Sequence, residues 1–190
     1  MNEKELTQAE KTTLLKLARR AIIAAVARQM PPLPAADELT DSLRAPGAAF
    51  VTLTIAGELR GCIGSLQAFR PLVEDVLGHA VDAAMNDYRF LPVSEEEVPL
   101  LEIEISRLTA PQPLEYAAPA DLPGKLKPNV DGVVLRDGPR SATFLPQVWE
   151  QLPEANQFLS QLCLKMEAPA NLWRQKKLQI SIYQVAEFHE

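Results

Sequence analysis

The run Leu59-Arg60-Gly61-Cys62-Ile63-Gly64 brings together the residue types in this chain best suited to chemistry. A cysteine acts as a nucleophile or metal ligand only as the thiolate, and a neighbouring guanidinium lowers the thiol's pKa from about 8.5. If the run is a strand, period-2 alternation puts Arg60 and Cys62 on one face and Leu59, Gly61 and Ile63 on the other. Gly61 and Gly64 have no side chains, so a ligand or another backbone can come close, and their N–H groups are available to an oxyanion. Cys62 and Arg60 are therefore the candidate catalytic pair, and Leu59, Gly61, Ile63 and Gly64 the candidate substrate-binding residues. The competing reading is a small buried cysteine in a crowded or bulged strand, the commoner fate of a lone Cys.

Other titratable groups form weaker sets. His79 follows Asp75 by four residues and precedes Asp82 by three, so the three share one side of a helix with Asn86. A carboxylate-oriented histidine can act as a general base, but the plainer expectation is an exposed polar face. His189 is expected to be mobile at the terminus. Cys62, His79, Cys163 and His189 lack the close spacing of a zinc set, and no metal is expected. Cys163, inside Leu162-Cys163-Leu164, reads as core, as do Trp149 and Trp173. Glu95, Glu96 and Glu97 read as a turn cap or a wet face. Glu102 and Glu104 share a strand face and would meet Arg60 if the strands adjoin. His79 and Glu104 are the candidates for a base. No GxGxxG, GxxxxGK[ST] or GxSxG string occurs. The GxxG at Gly61 to Gly64 is not that of a KH module, since it lies in a strand of an acidic chain.

The elements that must position these groups follow from periodicity. Thr7 and Glu10 have capping-box spacing, opening a helix with Leu14, Leu17, Ala18, Ile22, Ala25 and Val26 inward, up to Met30 and ended by Pro31 and Pro32. Phe50 to Ile55 and Leu59 to Gly64 form a hairpin around Ala56, Gly57 and Glu58, which pairs Ile55 with Leu59, Thr54 with Arg60 and Thr52 with Cys62. A helix from Pro71 to near Asn86 buries Leu72, Val73, Val76, Leu77, Ala80, Val81 and Ala84. Leu101 to Ser106 alternates as a strand, and a proline-rich connection runs from Ala110 to Pro128. Val133 to Arg136 and Ala142 to Leu145 make a second hairpin, Glu154 to Lys165 a short helix, and Leu178 to Tyr183 a final strand. Hairpins interspersed with helices indicate an α+β fold, a mostly antiparallel sheet with helices packed on it. At 190 residues, 47% hydrophobic and 23% charged, the chain reads as a single domain over 1–190, with a possible smaller lobe around 110–150. Nineteen basic against twenty-five acidic residues give a net charge of -6, which argues against nucleic acid and acidic membrane surfaces as partners. The uncharged runs fall short of the roughly 20 residues of a membrane helix. The charged opening, Met1 to Lys11, does not read as a secretory signal, and two cysteines make no disulfide framework, so a cytoplasmic location is expected.

The same six residues resemble the LRGCIG signature of the AMMECR domain family, the AmmeMemoRadiSam system protein A group. The likeness continues through Pro71-Leu72, through Asp87-Tyr88-Arg89-Phe90 with Pro92, and through Glu102-Ile103-Glu104-Ile105-Ser106. It extends through Asp131-Gly132-Val133-Val134, Leu145-Pro146-Gln147-Val148 and Cys163-Leu164-Lys165 to Trp173. The chain departs from the family at Met166-Glu167, where Ala-Gly is usual, and at Ala142, where glycine is common. The resemblance implies two unequal lobes with the LRGCIG strand lining a cleft between them. It also implies association with a Memo-like protein, similar to extradiol dioxygenases, and a radical-SAM protein. The reaction and any cofactor are left open. Two readings stand. One is a cysteine-dependent catalytic or small-molecule-binding component, with Cys62 as nucleophile or redox thiol and Arg60 lowering its pKa or pairing with an anionic substrate. The other is a non-enzymatic adaptor or regulatory module using the same cleft.

Overall fold

The structure, a computed structural model, describes residues 5–31, 34–35 and 39–190. Thr7 opens α1 (Gln8–Val26) with the expected reciprocal cap: its hydroxyl accepts the Glu10 N–H at 3.3 Å, and the Glu10 carboxylate accepts the Thr7 N–H at 2.7 Å. The helix ends at Val26 rather than at Met30. Arg28 turns left-handed (φ 55°), and the chain closes with Gln29 N–H on the Ala24 carbonyl (2.8 Å) and Arg28 N–H on that of Ala25 (3.0 Å), so the helix stops before Pro31. Pro32 lies outside the described residues.

After the short α2 (Asp41–Arg44) the chain forms β1 (Pro46–Ile55), β2 (Glu58–Gly64), the two-residue β3 (Arg70–Pro71), α3 (Leu72–Met85) and β4 (Leu101–Leu108). The strands run in the order β2-β1-β4-β9, with β3 also on β1; β9 (Val185–His189) is a strand that the alternation up to Tyr183 did not announce. His189 therefore closes a strand instead of a loose end. β1 is antiparallel to β2, β3 and β4. One face of the sheet buries Val51, Leu53, Leu101, Ile103 and Ile105 with Leu14, Leu17, Ile22, Val76 and Ala80 of the two long helices. This core belongs to a compact unit made of residues 1–110 and 186–190.

Residues 111–185 form a second compact unit. Its sheet runs β5 (Gln112–Pro113), β8 (Gln179–Tyr183), β6 (Gly132–Asp137) and β7 (Arg140–Phe144), all neighbours antiparallel. The helices here are α4 (Val148–Gln151), α5 (Ala155–Lys165) and α6 (Leu172–Gln175). Trp149, Trp173 and Cys163 are core residues as expected; Trp149 stacks on Phe158 at 3.7 Å and donates to the Asp131 carbonyl at 2.8 Å. The fold is α+β with antiparallel sheets. Among the described residues, no helix is long and apolar enough to cross a membrane.

Glu10 does more than cap its own helix, because its second carboxylate oxygen accepts the Thr40 hydroxyl at 2.5 Å and so ties α1 to the start of α2. Hydrogen bonds from Thr40, then from Thr7, hold the carboxyl at about 2 against the opposing effect of burial. A carboxyl whose pKa is lower in the folded state stabilises the fold above its unfolded value of about 4.5 and loses that contribution as pH falls toward 2. Glu10→Gln is expected to be less stable than the parent at pH 7 by roughly 1.5 to 3 kcal/mol. The gap should close on acidification below pH 4.5 in urea titrations at stepped pH.

Candidate functional site

Two backbone irregularities place the candidate residues. The β1–β2 turn has two residues, not three: Ala56 (φ 51°) and Gly57 (φ 81°) are both left-handed, the geometry that matches strand twist, and Ile55 pairs with Glu58. That shift would carry Cys62 one place out of register. A bulge restores it, because Leu53 pairs with Gly61 while Thr54 pairs with Leu59, leaving Arg60 as the extra residue. Thr52 thus faces Cys62 as expected, but Thr54 faces Leu59 and not Arg60. A one-residue slip exchanges the faces of a strand. Leu59 accordingly leaves the core face predicted for it and stands 43% exposed, whereas Gly61 and Ile63 keep theirs opposite Leu53 and Val51.

The bulge also re-aims Arg60. Its Nε and Nη2 donate to Glu97 at 2.7 and 3.1 Å, and Glu97 further accepts the Ser94 N–H at 2.8 Å. Arg60, followed by the Ser94 N–H, holds the Glu97 carboxyl at about 2. The expected pairing of Arg60 with the thiol is thereby replaced by an ion pair with one of the three glutamates assigned to a turn or to water. Glu102 and Glu104 do not meet Arg60, because β4 lies on the far side of β1 from β2.

Cys62 is held instead by the segment after α3. Its N–H donates to Asp87 Oδ2 at 2.9 Å, and its carbonyl accepts Arg89 Nη2 at 3.0 Å. Asp87, only 4% exposed, also receives the Arg89 N–H (3.2 Å), Nε (2.9 Å) and Nη2 (2.7 Å). The Arg89 side chain, ahead of the Cys62 and Arg89 N–H groups, holds the Asp87 carboxyl far below the usual carboxylate range despite burial. With its N–H and C=O turned outward, Cys62 forms the closer kind of cross-strand pair with Thr52. The Thr52 hydroxyl donates to Sγ at 3.4 Å.

The glycines admit protein rather than ligand. A Cβ on Gly61 would lie 2.2 Å from the Ala83 carbonyl oxygen of α3, and one on Gly64 would lie 2.2 Å from the Phe50 ring. Gly61 is the close backbone approach that the sequence allowed for, and Gly64 is roofed by an aromatic side chain.

The sheet face that carries Cys62 is polar. Across β2, β1 and β4, Cys62, Thr52 and Glu104 stand in one row, and in the next row Thr54 donates to Glu102 at 3.4 Å. Burial, with the nearby Glu187, pushes the Glu104 carboxyl up, and His189 pulls it back. His79 is not on an exposed face. It is 9% exposed, with Nε2 3.2 Å from Asp75 Oδ1. Asp75, itself 2% exposed, also accepts Ala49 N–H (2.9 Å), the Ser65 hydroxyl (3.0 Å) and Arg70 Nε (3.0 Å). Burial raises the Asp75 carboxyl, but His79, then the Ala49 N–H and Arg70, outweigh it and leave it below its ordinary value. Among the described residues no three His, Cys, Asp or Glu side chains gather as a metal site.

The AMMECR1 family model matches residues 15–188, nearly all of both units. The chain belongs to the AMMECR1 family. A relative from Methanothermobacter thermautotrophicus is 37% identical over 186 residues, covering 97% of this chain and 96% of its own. One from Thermofilum pendens is 34% identical, covering 97% and 92%. The crystal structure of an uncharacterized protein, PH0010, from Pyrococcus horikoshii superposes with a TM-score of 0.85 at 31% identity, over 97% of this chain and 93% of that one. At Glu167, one of the departures noted from the family pattern, the chain turns through the left-handed region (φ 58°), a conformation that glycine adopts without strain. Ala142 pairs with Leu135 in an unbroken hairpin.

Two substitutions follow from these contacts. Gly61→Ala forces its methyl against helix backbone, which cannot give way as a side-chain tip would, and is expected to destabilise the chain by about 3 kcal/mol. Glu167→Gly relieves a left-handed non-glycine and is expected to stabilise it by about 1 kcal/mol. Urea unfolding of each variant against the parent reads both.

Proposed function

We propose that this AMMECR1-family chain is a cysteine-dependent catalytic or small-molecule-binding component, working on the polar sheet face that carries Cys62, in a pathway shared with Memo-like and radical-SAM proteins. The observation that carries the reading is the row Cys62, Thr52 and Glu104. A half-buried thiol receives a hydroxyl hydrogen bond, and a carboxyl with a raised pKa stands two strands away. Two strand spacings are about 9.5 Å, room for a small molecule between the sulfur and an acid–base group. In this role Cys62 supplies the nucleophile, Thr52 orients its lone pairs, and Glu104 exchanges protons with bound substrate. Arg60 is a positioning residue, fixing the 94–97 turn through Glu97. Gly61, Gly64 and Ile63 hold the strand, and Leu59 lies beyond the bulge at the rim of the same face.

Native iodoacetamide labelling read by mass spectrometry tests the thiol. Cys62 is expected to react in the folded protein, while Cys163, fully buried and with its thiol pushed up by burial, reacts only on unfolding. Thr52→Val, which removes the hydroxyl that orients the sulfur, should slow labelling of Cys62 by roughly threefold, the size of one modest hydrogen bond. Pathway activity retained by Cys62→Ala in the presence of both partner proteins would overturn the reading and favour an adaptor.

A further inference from the structure

Arg89 differs from the other arginine of the site in what it leaves open. Its Nε and Nη2 are used by Asp87 and by the Cys62 carbonyl, and Nη1 takes part in none of these bonds. Asp87 is 1% exposed at its side chain and Arg89 41%, so the pair turns its carboxylate inward and its cation outward. Asp87 grips the guanidinium at two points and Phe90 lies 5.5 Å from it, so the fork stands in a fixed plane before anything binds. Arg60 has no such freedom: its side chain is 16% exposed, and Glu97 takes both of the donors that face it.

We infer that the free edge of Arg89 is an anion-binding subsite beside Cys62, selecting small substrates that carry a carboxylate next to the carbon the thiol attacks. The inference rests on the thiol reading above and adds the substrate class to it. Arg89 is anchored on the Cys62 carbonyl, so anion and sulfur are held by one residue's backbone and its immediate neighbour. Asp87 above all strengthens the guanidinium's hold on its proton, and Cys62 adds to it, in agreement with that closeness. An acidic chain repels anions at long range. Recognition here is local and directional, through an oriented fork, as suits a small carboxylate better than a polyanion.

Iodoacetate and iodoacetamide separate charge from thiol reactivity. With either reagent the Cys62 sulfur forms a bond to the methylene carbon, the C–I bond breaks, iodide leaves and the thiol proton passes to solvent. The quantity read is the iodoacetate-to-iodoacetamide rate ratio at Cys62, native against urea-unfolded, at matched ionic strength. The native ratio is expected to exceed the unfolded one by roughly fivefold, the size of one half-exposed charge pair. Arg89→Gln should bring it down to the unfolded value, and Arg89→Lys should keep part of it. Malonate should slow iodoacetamide labelling of the parent, a readout that survives if Arg89→Gln fails to fold. Equal native and unfolded ratios, or a full preference kept in Arg89→Gln, overturn the anion subsite and leave Cys62 a reactive thiol. Silence of Cys62 toward both reagents overturns the thiol reading, and this one with it.

Discussion

A single buried carboxylate fixes where the thiol stands. Asp87 accepts the outward N–H of Cys62 on an edge strand, and Arg89, which neutralises it, returns to the carbonyl of the same residue. An edge strand presents unpaired donors and acceptors to any passing strand. Here that opening is filled by side chains from the turn after α3, which protect the edge and immobilise the one residue whose sulfur faces the polar surface. Removing the carboxylate would leave a buried N–H and a partly buried guanidinium without their partner, the costly way to break such a pair.

α3 meets the hairpin through a second carboxylate of the same kind. Asp75, in the first turn of the helix, accepts Ala49 N–H from β1 and the Nε of Arg70. Asp87, just past its last turn, does the equivalent for β2 with Arg89. Between these ends Gly61 lets the strand backbone settle against the Ala83 carbonyl, closer than any side chain allows. Helix and hairpin are thus held at three points along their length, two ionic and one steric. That spacing leaves little freedom for β2 to slide, and the Thr52–Cys62 contact inherits its geometry from it.

How much of this was legible depended on range. The cap at Thr7, the span of α3, the burial of Cys163 and the pairing of Thr52 with Cys62 all follow from patterns within a few residues. The bulge at Arg60 did not, because a two-residue turn plus one extra residue gives Cys62 the same partner as a three-residue loop without a bulge. Only Leu59 and Arg60 change places, and Leu59 is as apolar on the wrong face as on the right one. Glu97 was one of three adjacent glutamates with nothing local to mark it; its role comes from a contact 37 residues away. His79 was misplaced because its helix carries a second inward stripe, Asp75 and His79, made polar by partners on β1 and the loop before α3. β9 follows Tyr183 after a single intervening residue, too short a break for alternation to expose.

Two buried carboxylates are a poor way to gain stability, since desolvation offsets most of the attraction and apolar residues of the same size would often do better. Their use at both ends of α3 makes sense as positional control. An apolar contact tolerates a slide of an ångström, whereas a carboxylate shared between a backbone N–H and a guanidinium does not. Under the function proposed above, with Cys62 on the polar sheet face and the guanidinium edge of Arg89 beside it, a slide of that size separates a competent arrangement from an idle one. The aspartates are best understood as holding Cys62 and Arg89 in register with each other, with the rest of the sheet face arranged around that fixed pair.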